Sequence, residues 1–328
     1  MKEALYYEKL EGGRLRCNLC PKFCVISEGK RGFCYARINK DGTLYSEIYN
    51  RAMAANMDPI EKKPLYHFHP GAQIFSLGTR GCNQRCDFCQ NWHMLEGDAP
   101  LSEITAEWAV KSAQSQGSLG IAYTYNEPLI WFEFVLECAT LAQAKGLKNV
   151  LVTNGYVNPE PFAQLVPLID AMNIDIKSMD PSFYKEICKS DLPPVLETCA
   201  TAHSAGIHVE FTNLVIPTLN DADEQIESLV DFVAGLGRDI PLHFSAYFPC
   251  YKMKIEATPL ATLRRAEDIG RRKLDYVYLG NVTDDGGAGT LCPACGNLLV
   301  SRSGYVTRVV GLEGKVCNRC GRAADLVL

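Results

Sequence analysis

The sequence predicts an α/β fold, a partial TIM-type (βα)6 barrel with a cysteine-rich segment before it and a small cysteine-bearing unit after it. Two observations predict this organisation. Between residues 71 and 285, short apolar runs alternate with helical patterns, and such alternation builds a parallel sheet. Of the 15 cysteines, 11 fall into three clusters, one near each end of the chain and one directly after the first apolar run.

Residues 1–70 form the cysteine-rich segment. It contains Cys17, Cys20 and Cys24 in the pattern C-x2-C-P-x2-C, with Cys34 ten positions further on. The segment is too short to form a stable hydrophobic core without a bound metal or a disulfide. Four thiolates suit either zinc or a [4Fe-4S] cluster, and reduced thiols packed against the barrel are the alternative.

Residues 71–285 carry the predicted barrel. Helical patterns between the strands end at Gly146 and Gly206, and Asn158 before Pro159 is typical of a cap followed by a first-turn proline. Six or seven strand–helix units fit a partial or full barrel. The predicted strands are residues 74–77, 121–124, 150–153, 172–176, 207–215, 242–246 and 276–279.

Three cysteines follow the first predicted strand. Cys82, Cys86 and Cys89 are spaced by three and then two residues, and thiolates at this spacing can converge on one metal centre. Three thiolates on a four-iron cubane leave one iron free for a ligand that is not protein, as in a catalytic cluster. The alternative is a structural zinc site completed by His93, but zinc knuckles need no scaffold of strands.

Polar motifs recur after the later strands, and catalytic groups of α/β barrels lie on these loops. Cys250, after the sixth strand, is a weak candidate for a catalytic hydrogen donor, and packing is the alternative. His67 and His69 alternate like strand residues and are predicted to be structural. The motifs are Tyr125-Asn126-Glu127-Pro128, Asn154-Gly155-Tyr156, Asp175-Ile176-Lys177, Asn213 with residues 217–221, and Tyr247 with Cys250 and Tyr251.

Residues 286–328 hold two C-x2-C-G knuckles, which follow a glycine-rich stretch, residues 284–290, that suits a linker. Cys292 with Cys295, and Cys317 with Cys320, can form a four-thiolate site, which predicts a zinc ribbon. Rubredoxin-like iron in the same ligands is the alternative. A closed site of this kind has no open position for substrate, so a structural or recognition role is expected.

Composition limits the function classes. The formal charge of -5 and the pI near 5.8 argue against broad capture of nucleic acid. The sequence contains no apolar run of the length that a membrane-spanning helix requires, and its amino terminus lacks the apolar region of a signal peptide. We therefore expect a cytoplasmic protein in a reducing compartment, with no membrane partner, and the composition disfavours a nucleic-acid partner.

The cysteine loop, with Phe88 before its last cysteine, resembles the radical S-adenosylmethionine (SAM) superfamily. The order of motifs is similar to that of the activating enzymes of glycyl radical enzymes, which show the cysteine loop, a Gly-Gly-Glu-Pro-like turn, Thr-Asn-Gly and Asp-Leu-Lys. The amino-terminal C-x2-C-P-x2-C, the Tyr-Asn-Glu-Pro turn and the carboxyl-terminal knuckles resemble the radical SAM enzyme of the AmmeMemoRadiSam system.

This resemblance implies that Cys82, Cys86 and Cys89 hold a [4Fe-4S] cluster whose fourth iron binds the amino and carboxylate groups of SAM. Phe88 would lie against the adenine. The amino-terminal four cysteines would then hold zinc or a second cluster.

The resemblance also implies a set of SAM contacts. Asn126 and Glu127 would hold the methionine amine, and Lys177 would pair with the SAM carboxylate. Asn154 and Asp175 are candidates for the ribose and methionine neighbourhood, with a turn asparagine and an Asp175–Lys177 ion pair as the alternatives. Two departures stand out: Tyr125 and Asn126 replace two glycines of the activating enzymes, and Val152 replaces an aspartate.

The function implied is that of an oxidoreductase that cleaves SAM reductively to a 5'-deoxyadenosyl radical, which abstracts hydrogen from a peptide, protein or small organic substrate. The alternatives are a radical SAM enzyme that modifies tRNA or RNA, and a non-enzymatic iron–sulfur electron-transfer or scaffold protein. The implied partners are a low-potential electron donor of the flavodoxin or ferredoxin type and Memo-like and AMMECR-like proteins.

Overall fold

The computed structural model describes residues 1–95, 100–282 and 288–328. The amino-terminal segment forms small antiparallel sheets, in the orders β1-β6-β5 and β2-β3-β4. Short 3-10 helices lie at Glu11–Gly13 and Ile60–Lys62. The strands are β1 (Lys2–Glu3), β2 (Tyr7–Lys9), β3 (Leu15–Cys17), β4 (Val25–Ile26), β5 (Arg37–Lys40), β6 (Thr43–Ser46) and β7 (Arg51–Ala52).

The central sheet has eight strands, and its strands are nearly all buried. The next strands along the chain are β8 (Ala54–Pro59), β9 (Gln73–Gly78), β10 (Ser102–Glu103), β11 (Gly120–Tyr123), β12 (Lys148–Thr153), β13 (Ala171–Asp175), β14 (His208–Val215), β15 (Leu242–Ala246) and β16 (Val277–Gly280). The sheet order is β16-β15-β14-β13-β12-β11-β9-β8, while β10 pairs with β7 outside it. All neighbours from β9 to β16 are parallel, and β8 joins the edge antiparallel to β9. The predicted parallel-strand sheet is therefore confirmed.

Helices separate the parallel strands, as the sequence predicts. Gly146 and Gly206, which follow α2 and α5, have φ of +72° and +79°, the left-handed conformation that glycine adopts without a Cβ penalty. Further 3-10 turns lie at Trp92–Met94, Pro128–Trp131 and Val166–Leu168. The helices are α1 (Ala106–Ser115), α2 (Phe132–Ala144), α3 (Pro159–Leu165), α4 (Pro181–Phe183), α5 (Leu192–Ser204), α6 (Asp223–Leu236) and α7 (Leu260–Arg271), with a π-helix at Tyr184–Cys188.

The start of α3 differs from the prediction in one detail. Pro159 is the first helical residue, as expected. The side chain of Asn158 does not cap the helix; its Nδ2 donates to the Asn18 carbonyl at 2.7 Å instead, because the amino-terminal segment packs against this turn.

The carboxyl-terminal unit consists of short antiparallel strands around its own small core. The order β17-β18-β19 forms one sheet and β20-β21 another. The predicted linker and the 285/286 boundary fall largely on residues 283–287, outside the described residues. The strands are β17 (Thr290–Leu291), β18 (Leu298–Ser303), β19 (Val306–Val309), β20 (Leu312–Glu313) and β21 (Val316–Cys317).

The carboxyl-terminal unit packs near the amino-terminal ends of the parallel strands. Val327 exchanges backbone hydrogen bonds with His67 and His69 at 2.8 and 2.7 Å. Tyr276, directly before β16, donates to Asp325 at 2.7 Å. This end of the sheet is opposite to the loops that follow the strands. None of the helices in the described ranges has the length and apolar character needed to cross a membrane.

Candidate active site

The cysteine loop, residues 79–90, leaves the carboxyl-terminal end of β9 and is held in place by tight backbone contacts. Gly81 has a φ of +93°, and a Cβ at this position would lie 2.3 Å from the Cys34 carbonyl oxygen. No side chain can be accommodated there without moving the backbone. Arg85 donates to the Phe33 carbonyl at 2.6 Å and to the Cys82 carbonyl at 2.6 Å. The amino-terminal segment therefore packs directly against the loop.

The three loop thiols are largely buried, and donors surround the first of them. Cys82 Sγ accepts from the Gln84 N–H at 3.3 Å and from Asn154 Nδ2 at 3.5 Å. Burial raises the pKa of Cys82 well above its usual value and that of Cys89 to about 11. For Cys86, the neighbouring Cys188 thiol is the largest cause of its raised pKa, followed by burial.

The donor set of the loop fits an iron–sulfur cluster. Metal binding requires thiolates, and buried hydrogen-bond donors compensate their charge. Gln84 Nε2 and Arg80 Nε are buried without a partner among the described residues, so they are available to an anionic group. His93 is exposed, and no set of three ligand atoms that includes it lies within 4.8 Å in the described ranges. The geometry gives no support to the zinc alternative in this loop.

Asn126 joins the turn after β11 to the cysteine loop. Its Oδ1 accepts from the Thr79 N–H at 2.9 Å, and its Nδ2 donates to the Gly81 carbonyl at 3.0 Å. Tyr125, which precedes it, has a φ of +72°, a conformation that costs a residue with a side chain about 1–2 kcal/mol. Its hydroxyl donates to the Asp58 carboxylate, which anchors the strained residue to β8.

Glu127 is 2% exposed, and its carboxylate accepts hydrogen bonds from three donors. Oε1 accepts from the Leu129 N–H at 2.9 Å and from Thr153 Oγ1 at 2.7 Å, and Oε2 accepts from the Asn154 N–H at 2.8 Å. Burial raises the pKa of Glu127 to about 7, although these hydrogen bonds oppose the rise. Oε2 receives a single hydrogen bond within the described residues and retains a lone pair for a ligand.

Asn154 connects this turn to Cys82. Its Nδ2 donates to the Asn83 Oδ1 at 2.9 Å as well as to Cys82, and its Oδ1 accepts from the Tyr156 N–H at 2.9 Å. The structure therefore brings three predicted site residues, Cys82, Glu127 and Asn154, into one hydrogen-bonded network at the ends of β9, β11 and β12.

Lys177 and Asp175 form an ion pair after β13. Lys177 Nζ lies 2.9 Å from Asp175 Oδ2 and 5.8 Å from the centre of the Phe88 ring. Burial alone lowers the pKa of Lys177, but the negative charges of Asp175, Cys86 and Cys188 outweigh it and hold the pKa well above its usual value. Lys177 therefore stays protonated. Phe88 is itself buried and packs on Phe183, with ring centres 5.9 Å apart.

The loop after β15 covers one side of the cysteine loop. Cys250 Sγ lies 3.5 Å from the Cys89 carbonyl oxygen, and the Lys252 N–H donates to the Asp87 carbonyl at 3.0 Å. The rings of Tyr251 and Trp92 stack with centres 5.6 Å apart. Cys250 is thus placed beside the cysteine loop.

Sequence reasoning missed two residues of this site. Asn83 accepts from Asn154 and donates to the Tyr156 carbonyl at 2.6 Å, and its position between Cys82 and Cys86 was the available signal. Cys188 ends the π-helix, and its carbonyl accepts from the Arg85 N–H at 2.9 Å. No spacing in the sequence relates Cys188 to Cys86.

The structure also brings together each of the two other predicted cysteine sets. Cys292 Sγ lies 3.6 Å from Cys320 Sγ, Cys295 Sγ lies 3.7 Å from Cys317 Sγ, and all four sulfurs lie within 4.8 Å of one another. A tetrahedral ion with bonds of about 2.3 Å requires sulfurs about 3.8 Å apart. The carboxyl-terminal group could therefore bind a metal ion. The set Cys17, Cys20, Cys24 and Cys34 lines one cavity.

The sheet, the cysteine loop and its network define the class of protein. The sequence profile of the radical SAM superfamily matches residues 76–233, which run from β9 into α6. The chain therefore contains a radical SAM domain. It is an enzyme of SAM-dependent radical chemistry, and the superfamily implies a [4Fe-4S] cluster and SAM. Neither the RNA-modifying nor the scaffold alternative is favoured.

Individual proteins are also similar to this chain. The chain is similar to an uncharacterized protein of Methanocaldococcus jannaschii, 44% identical over 336 residues that cover all of both chains. It is also similar to the pyruvate formate-lyase-activating enzyme of Clostridium pasteurianum, 25% identical over 48% of this chain and 68% of that enzyme. A solved domain of the corresponding Bacteroides vulgatus enzyme is 19% identical, with a TM-score of 0.44, over 49% of this chain and 99% of that domain.

Proposed function

We propose that this chain is the radical SAM enzyme of an AmmeMemoRadiSam-type system and acts on a peptide, protein or small organic substrate. The observation that carries the proposal is the network from Glu127 through Asn154 to Cys82, which ties the turn after β11 to the cysteine loop. Three sequence features support the subfamily: the amino-terminal C-x2-C-P-x2-C, the Tyr125-Asn126-Glu127-Pro128 turn and the carboxyl-terminal knuckles. Similarity to activating enzymes supports a protein target.

In this proposal Cys82, Cys86 and Cys89 hold the [4Fe-4S] cluster and leave one iron to SAM. When bound, the cluster supplies one electron that splits the C5'–S bond of SAM to give methionine and a 5'-deoxyadenosyl radical. The chain's own contribution is to position the reactants and to exclude water. The Gln84 backbone N–H and the Asn154 side chain donate to Cys82 Sγ and so stabilise its thiolate.

The proposed SAM contacts follow the charges at the strand ends. Glu127 offers its remaining Oε2 lone pair to the methionine amine, with Asn126 fixing the turn. Lys177, kept protonated by its neighbours, pairs with the SAM carboxylate. Asp175, with 37% of its side chain exposed, is available to the ribose or methionine neighbourhood. Phe88, which is 4% exposed, is proposed to lie against the adenine.

We further propose that Cys292, Cys295, Cys317 and Cys320 bind zinc as a ribbon, and that the central sheet forms a partial TIM-type barrel spanning residues 71–285. The ribbon lies at the end of the sheet opposite to the cysteine loop, which supports a structural role.

Cys250 beside Cys89 is proposed as a contact of the substrate. A reductant such as flavodoxin serves the related activating enzymes, and we propose the same class here, with Memo-like and AMMECR-like partners in the cytoplasm.

The direct test is anaerobic reconstitution with iron and sulfide, followed by reduction with dithionite in the presence of SAM and quantification of 5'-deoxyadenosine. We expect product from the wild type and from Cys138→Ala, which removes a buried thiol in α2 away from the site. We expect none from Cys86→Ala. Absence of product from a wild type with a fully formed cluster, or equal product from Cys86→Ala, would overturn the proposal.

A further inference from the structure

The four amino-terminal cysteines converge although they come from different turns. Cys17 ends β3, its N–H donates to the Cys24 carbonyl at 2.9 Å, and a turn closed by the Phe23 N–H on the Cys20 carbonyl at 3.2 Å lies between them. The four side chains line one cavity. Cys17 also belongs to the hydrophobic core, and Cys24 and Cys34 pack against that core.

The spacing of these sulfurs differs from that of the carboxyl-terminal group. In the described ranges, the carboxyl-terminal four are the only set of three or more ligand atoms that all lie within 4.8 Å of one another. A single zinc ion needs thiolates about 3.8 Å apart. A cubane binds each thiolate at a separate iron corner and so accepts sulfurs that stand further apart. The amino-terminal arrangement is too open for one tetrahedral ion and suits a cluster.

Buried hydrogen-bond donors face this cavity. Arg37 is 1% exposed, and its Nη1 lies 3.6 Å from Cys17 Sγ, while its Nε is buried with no partner among the described residues. The Phe33 N–H donates to Cys24 Sγ at 3.4 Å. The Arg37 guanidinium also pairs with Glu133, which fixes its position. A buried cation with a spare N–H suits a group of net negative charge, which four thiolates on iron provide.

The cavity lies beside the cysteine loop. Asn83, which follows Cys82, is one of the residues that line it. The Cys34 carbonyl makes the close approach that requires Gly81.

We propose that Cys17, Cys20, Cys24 and Cys34 bind a second [4Fe-4S] cluster, next to the site of the first. All four irons have a protein thiolate, so this cluster has no open position for SAM.

The test uses the triple variant Cys82→Ala, Cys86→Ala, Cys89→Ala, which lacks the loop ligands and so separates this proposal from the proposed function. After anaerobic reconstitution and removal of loose metal, we expect about four irons and four acid-labile sulfides per chain. Reduction should give a paramagnetic signal that SAM does not change. Adding both Cys20→Ala and Cys24→Ala leaves two of the four thiols and should abolish the iron, the sulfide and the signal.

Two results would overturn the proposal: a triple variant that contains zinc at about two per chain and no sulfide, or one with neither zinc nor sulfide at this site. If the triple variant does not fold, as judged by circular dichroism, the wild type decides the question. Reconstituted wild type should hold about eight irons per chain, and the double variant Cys20→Ala, Cys24→Ala about four. An iron content of about four in both proteins would contradict a second cluster.

Discussion

The carboxylate of Glu127 accepts a hydrogen bond from the backbone N–H of Asn154 at 2.8 Å and thereby joins the turn after β11 to the end of β12. The Asn154 side chain continues the connection to Cys82 at 3.5 Å. The buried Glu127 carboxylate, whose pKa is raised, is therefore linked through Asn154 to Cys82, a proposed ligand of the cluster. Perturbed titration of this kind is typical of functional sites.

This relationship predicts a pH dependence of SAM binding. The pKa of Glu127 is raised to about 7, so its charged form grows from a minor to a major fraction as the pH rises from 6 to 8. The charged form attracts the methionine amine, so we expect SAM to bind up to about tenfold more tightly at pH 8 than at pH 6. Equilibrium titration of the reconstituted protein with SAM measures the effect.

The matched control is Glu127→Gln, which keeps the size of the side chain and removes its titration. This variant should bind SAM more weakly, with an affinity that does not change over the same pH range. An identical pH dependence in wild type and variant would assign the effect to another group.

Lys177→Ala tests the proposed partner of the SAM carboxylate. Hydrogen bonds to charged groups contribute about 1.5–3 kcal/mol, so the dissociation constant for SAM should rise roughly 10-fold to 150-fold. Lys254→Ala, on the exposed loop after β15, is the control and should bind SAM as the wild type does. The iron content of both variants should be unchanged. Wild-type affinity in Lys177→Ala would exclude this role.

The central fold could be predicted because its signals are local. Each buried strand is a short apolar run, and the cysteine spacing fixes which side chains can share a metal. The predicted strand 150–153, for example, lies within β12, and Gly146 ends the preceding helix as its chemistry requires. The parallel order then follows from the alternation with helices.

The contacts that cross the chain could not be predicted. Asn158 follows the rule for a helix cap, yet its amide binds the Asn18 carbonyl, 140 residues away. Cys188, at the end of a π-helix, lies beside Cys86 although 102 residues separate them in the sequence. Glu127 matched a ligand-binding turn, but its bonds to Thr153 and Asn154 depend on the pairing of neighbouring strands. Such partners are set by tertiary packing, which has no periodic signature.

Removing one proposed zinc ligand of the carboxyl-terminal unit should affect the stability of the protein more than its chemistry. Cys317→Ala eliminates one of four proposed zinc ligands, so we expect about one zinc fewer per chain and a free energy of unfolding lower by several kcal/mol. The cysteine loop lies at the other end of the sheet, so the SAM-sensitive paramagnetic signal should persist in the folded fraction. Metal analysis, thermal unfolding and spectroscopy measure these three quantities. Loss of that signal from folded Cys317→Ala would contradict a purely structural role.

We expect Glu210, in β14, to make the stability of the central sheet depend on pH. Its buried carboxylate accepts from the Tyr66 and His67 N–H groups at 3.0 and 2.7 Å and contacts His208 and His243 at 3.0 and 2.7 Å. Burial alone raises the pKa of Glu210, but the bonds to the two histidines outweigh it and hold the pKa below its usual value. The carboxylate thus ties the segment before β9 to the starts of β14 and β15.

Because the folded-state pKa lies below the unfolded value of 4.5, the stabilisation from Glu210 is complete above that pH and is lost as the pH falls. Glu210→Gln replaces a carboxylate that has four buried polar contacts by a neutral amide, and a hydrogen bond to a charged group contributes about 1.5–3 kcal/mol. Urea unfolding should show this deficit at pH 7 and a smaller one at pH 4, while Glu224→Gln on exposed α6 should match the wild type. A deficit that stays constant with pH would mean that Glu210 stabilises the sheet through packing and not through its charge.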